Sequence, residues 1–162
     1  MEYFKHFTVK LSTYLDRAAG WLMASVMFLV VLNVILRTIF KSPILGTYEY
    51  VGFITAMFVG LSVAYCALQN FHIAVGFLLE KFPAKVQGIV DVLTGIISFV
   101  FLSLATWHIA DYAGSMVITG EVSPTTRTPF YPFIYVVAFG FLVLSLVVLL
   151  KLIESIRKVV KE

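Results

Sequence analysis

The charged residues of this chain leave four long gaps, residues 18–36, 50–79, 92–110 and 128–150, in which no Asp, Glu, Lys or Arg occurs. About 20 apolar residues of helix cross the hydrocarbon of a bilayer. Lipid offers no hydrogen-bond partner to an open backbone, so a gap of that length must satisfy its own N–H and C=O groups as helix. Composition agrees with the pattern: 60% of the 162 residues are hydrophobic and 13% are charged, against about 25% charged in soluble domains. The expected architecture is an all-α integral membrane domain over 1–162. It has an arm at 1–17, spans at about 18–37, 50–71, 92–110 and 129–150, and a tail at 151–162.

The basic residues orient it. With the N-terminus cytoplasmic, nine fall inside (Lys5, Lys10, Arg17, Lys81, Lys85, Lys151, Arg157, Lys158 and Lys161) and three outside (Arg37, Lys41 and Arg127). That split follows the positive-inside rule and predicts that both termini are cytoplasmic. Amphipathic aromatics fall at the expected interfaces: Trp21 at the inner end of the first span, Tyr48 and Tyr50 at the outer end of the second, Trp107, Tyr112, Tyr131 and Tyr135 at the outer ends of the last two. The same ends explain the formal charge of +3 as headgroup contact with phospholipid, so no nucleic-acid partner is expected. The first gap begins at Ala18 and runs into a full-length span without a convincing cleavage site, so the first helix is expected to be retained.

In the arm, Phe4, Phe7, Leu11, Tyr14 or Leu15, and Ala18 recur at helical spacing. This predicts an amphipathic helix on the inner leaflet, with either lipid or another subunit on its apolar face. The second gap is longer than one crossing, so the chain after about Phe71 is expected to continue as a short interfacial segment, Ile73 to Phe82, stopped near Pro83. An outer loop around Ser123-Pro124-Thr125-Thr126 leads to Pro129 and Pro132 at the start of the last helix.

Chemistry is sparse. Cys66 stands alone, so no disulfide or Cys-x-x-Cys pair can form within the chain. His72 and His108 fall near opposite ends of the membrane and His6 in the arm, which leaves no pair of axial haem ligands at one depth and no metal-ligand spacing. No nucleophile motif is present. Arg37, Glu49, Asp91 and Asp111 all sit at helix ends, whereas a proton or ion path needs ionisable groups inside the membrane. These features predict a chain that is not an enzyme and carries no cofactor.

The second span carries a packing pattern instead. Gly52, Ala56, Gly60 and Ala64 recur every four residues, a small-residue stripe that lets another helix approach closely. It can serve the chain's own bundle or a larger membrane protein. Asn33 and Arg37 lie one turn apart on one face, and an amide in lipid favours a protein partner. Arg37 can snorkel to phosphates or meet Glu49 or another subunit, and Glu49 can complement the positive end of its helix.

Asn33-Val-Ile-Leu-Arg37 closes the first span, Tyr48-Glu49 opens the second, and His72-Ile73-Ala74-Val75 follows one crossing later. This order and spacing resembles the DctQ-type small membrane subunit of tripartite ATP-independent periplasmic (TRAP) transporters. The resemblance implies an accessory subunit with two partners: a large membrane permease subunit that moves substrate with sodium, and a periplasmic substrate-binding protein. It also implies organic acids as substrates, a scaffolding role beside the large subunit, and Asn33, Arg37, Glu49, Gly52, Ala56, Gly60, Ala64 and His72 as subunit-interface candidates. The chain departs from the family pattern at Leu68-Gln69-Asn70 and Gly76, where charged residues often flank the His-Ile element. It departs again at Ala138, where a proline is common. The competing readings are a haem-free four-helix anchor of a redox or other enzyme complex, and the small subunit of a tricarboxylate transporter.

Overall fold

A computed structural model of the chain describes residues 2–69 and 84–161. Four helices account for nearly all of them: α1 (Glu2–Ile39), α2 (Thr47–Leu68), α3 (Ala84–Thr119) and α4 (Tyr131–Lys161). All four are long and apolar enough to cross a membrane. The interfacial segment expected at 73–82 and its stop at Pro83 lie outside the described residues.

Helix length separates α2 from the others. At about 1.5 Å per residue, the 22 residues of α2 give about 33 Å, close to the hydrocarbon thickness of about 30 Å. The 38, 36 and 31 residues of α1, α3 and α4 give about 57, 54 and 46 Å, so each of these runs well past the bilayer. The arm and the first span are therefore one continuous helix. The charge boundary at Arg17 and Ala18 marks where apolar surroundings begin and not where the helix starts, because a helical backbone accommodates Lys10 and Arg17 about as readily as Leu, and Asp16 at a cost below about 1 kcal/mol.

The helices pack in the order α1, α2, α4, α3, and α1 also touches α4. Among the described residues α3 rests on α4 and makes no comparable contact with α1 or α2. The core joins Ala64 and Ala67 of α2 to Val143, Leu144 and Val147 of α4, with Leu11 and Leu15 of α1 and Leu102 of α3 packed around it. Because lipid tails are as apolar as leucine, burial alone does not drive such helices together; close van der Waals packing does. Hydroxyls within the spans satisfy themselves locally: Ser25 donates to Trp21 O at 2.9 Å, Thr106 to Leu102 O at 2.7 Å and Ser145 to Leu142 O at 2.8 Å.

At one end the outermost turns of α1 and α4 are joined, with Lys5 Nζ 2.6 Å from Glu154 Oε1. The N- and C-terminal regions thus share one face of the membrane. Thr8 and Ser12 of the arm, and Ala19 just beyond it, are buried while Tyr3, Phe7 and Tyr14 are exposed. The arm's small residues thus turn inward toward the bundle, and its larger apolar side chains divide between Leu11 and Leu15 inside and Phe7 and Tyr14 outside. Nearby, Lys151 of α4 donates to the carbonyl of Ala67, a cation on the negative end of α2.

Candidate subunit interface

At the other end, α2 starts from Gly46, whose left-handed backbone (φ 76°) serves as its N-cap. The Gly46 carbonyl accepts from Glu49 N at 2.9 Å and Tyr50 N at 3.1 Å, and no side chain caps the helix. A Cβ at Gly46 would collide with the Thr126 methyl. Glycine is therefore required twice here, for its φ and for its size. Asn33 of α1 ties the same turn down: its Oδ1 accepts from Ile44 N at 2.9 Å. Its amide thus finds a partner within the chain, in the α1–α2 connection.

Glu49 faces the α3–α4 loop. Its Oε1 accepts from Thr125 N at 2.9 Å; its Oε2 accepts from Thr126 N at 3.0 Å, from Thr126 Oγ1 at 2.8 Å and from Ser123 Oγ. Successive backbone N–H groups converging with hydroxyls in a turn form a concave anion site, and the Glu49 carboxylate fills it. The loop is also closed on itself, through Ser123 N to Thr128 O at 2.9 Å, Arg127 N to Ser123 O at 3.0 Å and a bridge between Val122 and Pro129. Arg37 and Glu49 form no ion pair among the described residues; Arg37 is exposed at the end of α1. Below the loop, Phe53 stacks on Phe133 at 4.5 Å and meets Phe130 edge-on at 5.3 Å, securing the start of α4 to α2. A cleft of about 730 Å³ opens between the two loops, lined by Asn33, Leu45, Tyr48, Gly52, Phe53 and Pro124.

The small-residue stripe of α2 divides. Gly60 and Ala64 are buried, whereas Gly52 and Ala56 are exposed, and a Cβ on Gly52 would meet nothing within 4 Å. Positions four apart turn through about 400° on a helix of 3.6 residues per turn, so the series drifts about 40° per step and cannot stay on one face. A Cβ on Gly60 would lie 3.2 Å from the Val137 Cα, and a Cβ on Gly140 would overlap the Gly60 carbonyl. Here α2 and α4 pack backbone against backbone. His72 lies outside the described residues.

Three features are plain only in three dimensions: the pairing of Gly60 with Gly140, the bonds from the 123–128 loop to Glu49, and the inward stripe of Thr8, Ser12 and Ala19. The run of hydroxyls in Ser123-Pro124-Thr125-Thr126 was the available signal for the second.

Four helices long and apolar enough to cross a membrane define a multi-pass membrane protein. The family model "Tripartite ATP-independent periplasmic transporters, DctQ component" matches residues 26–158, and the chain belongs to that family. It is the small membrane subunit of a TRAP transporter, a multi-pass protein of the inner membrane and a transporter component rather than an enzyme. The family implies a large permease subunit and a periplasmic binding protein as its partners. No curated protein matches the chain.

Proposed function

We propose that this chain is the scaffold-side subunit of a sodium-coupled transporter for an organic acid. It widens and steadies the large permease subunit while the bound substrate passes through that partner. The observation that carries the scaffolding role is the exposure of α3. No residue in its most apolar stretch is buried within the chain, and Leu93, Ile97, Phe101 and Leu104 all lie open along it. A helix that contributes so little to its own core is available to a larger neighbour or to lipid. Sodium coupling and an organic-acid substrate are part of the same proposal, drawn from the family resemblance, with substrate and ion handled by the large subunit.

By the nine-to-three basic split, the termini are cytoplasmic and the 40–46 and 120–130 loops periplasmic. Of the interface candidates, Arg37, Gly52 and Ala56 are exposed and free to meet a partner; Gly60 and Ala64 serve the chain's own bundle, and Asn33 and Glu49 serve its outer loops. Co-purification tests the reading. Tagged small subunit, expressed with the large permease subunit, should retain it through detergent extraction. Recovery of the small subunit alone, with the large subunit stable and separate, would contradict it.

A further inference from the structure

We infer that the outward face of α1, near its N-terminal end, is a binding strip for anionic phospholipid, with Lys10 and Arg17 on the headgroup phosphates and Tyr14 and Trp21 at the boundary with the acyl chains. Tyr3, Phe7, Lys10, Tyr14, Arg17 and Trp21 follow one another at alternating spacings of four and three. On a helix of 3.6 residues per turn, all six fall within an arc of about 80°. The four aromatics are between 61% and 93% exposed, and Lys10 and Arg17 are exposed with them. The buried residues Thr8, Ser12 and Ala19 are centred about 160° round the helix from this arc. The strip is therefore the face of α1 turned away from the rest of the chain.

No Asp or Glu shares the arc; Asp16 lies about 140° from its centre. Neither Lys10 nor Arg17 forms an ion pair among the described residues. The two stand about 10 Å apart along the axis, with Tyr14 between them. The cations stop at Arg17, the last charge before the first span, and the same face continues into the span as Phe28 and Ile35, both exposed. Charge, then aromatic rings, then hydrocarbon along one face match a lipid leaflet from phosphate to acyl chain. Trp and Tyr settle at that interface, and Lys and Arg extend from it to phosphates. Because α1 is longer than the bilayer is thick, a tilt toward this face lays its outer turns, with Phe7 and Tyr3, along the headgroups. A second helix packed on the strip would instead strip water from two cations at the centre of a seven-residue repeat, which costs stability. Phosphates neutralise those cations while leaving them hydrated.

The test uses the small and large subunits together in nanodiscs of phosphatidylcholine containing a titrated fraction of phosphatidylglycerol, with retained lipid counted by native mass spectrometry. The wild-type complex should retain phosphatidylglycerol in preference to phosphatidylcholine and melt at a higher temperature when it is present. The double variant Lys10→Gln, Arg17→Gln should weaken that preference by about 30-fold, and either single change by about fivefold. Its melting temperature in phosphatidylcholine alone and its retention of the large subunit should not change. The swapped variant Lys10→Arg, Arg17→Lys keeps both charges and should behave as the wild type. A double variant that retains phosphatidylglycerol as the wild type does would overturn the inference, as would a wild-type complex without the preference. Loss of the large subunit from the double variant, with lipid retention intact, would assign the strip to protein and overturn it too. If glycerol 1-phosphate or inorganic phosphate raised the melting temperature of the wild type as far as phosphatidylglycerol does, the strip would be a site for free phosphate rather than for lipid.

Discussion

Gly140 of α4 lies so close to Gly60 of α2 that a single added carbon on Gly140 would overlap the Gly60 carbonyl. Two glycines that pack backbone to backbone fix the crossing point of the two central helices. In a membrane, where apolar burial by itself gives no driving force, such contact is what holds helices together.

Gly140→Ala is expected to destabilise the isolated subunit, because the obstructing atoms belong to backbone and cannot swing aside. Overpacking of this kind costs about 1–3 kcal/mol. Thermal melting of the purified subunit in detergent should show a clear drop, and an unchanged midpoint would mean that the crossing is looser than described.

The outer half of the stripe should behave in the opposite way. A Cβ at Gly52 would meet nothing of the chain within 4 Å, so Gly52→Leu should leave melting unchanged while hindering the large subunit's approach. An overpacking cost of about 1–3 kcal/mol corresponds to a loss of affinity of about 5- to 150-fold. Melting and pull-down measured side by side separate Gly52 from Gly140; a Gly52→Leu protein that binds its partner normally would place this face against lipid.

The 120–130 loop supplies a third expectation. Ser123 is buried and its hydroxyl donates to Glu49, so Ser123→Ala should loosen residues 123–128 without disturbing the helices beneath. Hydrogen exchange should quicken at Thr125, Thr126 and Arg127, with protection of the α2–α4 core preserved. Uniform protection in the variant would show that the loop holds its shape without the Ser123 hydroxyl.

At the end where α1 and α4 are joined, two neighbouring changes should differ in size. The Lys5–Glu154 pair is well exposed, and pairs of that kind contribute about 0–1 kcal/mol, so Lys5→Ala should barely move the melting point. Ser12 is fully buried, and Ser12→Leu should lower it by an amount equivalent to about 1–3 kcal/mol. The reverse order would mean that the arm is held by charge rather than by packing.

The charge-free windows disclose four spans because the bilayer imposes that requirement on every stretch of backbone inside it. They do not disclose that α1 begins at Glu2, because polarity reports the surroundings of a helix and not its start. Helical spacing reveals Gly52, Ala56, Gly60 and Ala64 as small-residue positions, yet their division between two faces depends on the drift of a four-residue repeat along a straight helix and on where α4 crosses. Glu49 stands out in the sequence as an acid at a helix start; its partners, Ser123, Thr125 and Thr126, are 74 to 77 residues away. No local pattern couples two loops so far apart. Only the packing of α2 against α4 brings them together.

As the small subunit of a TRAP transporter, this chain is expected to support transport without performing it. Uptake of a labelled organic acid into proteoliposomes under an inward sodium gradient tests it most directly, comparing the small subunit alone with the small and large subunits together, each with purified binding protein. The small subunit alone should give no uptake above empty liposomes, and the assembled pair should accumulate the acid. Sodium-dependent accumulation by the small subunit alone would contradict the account.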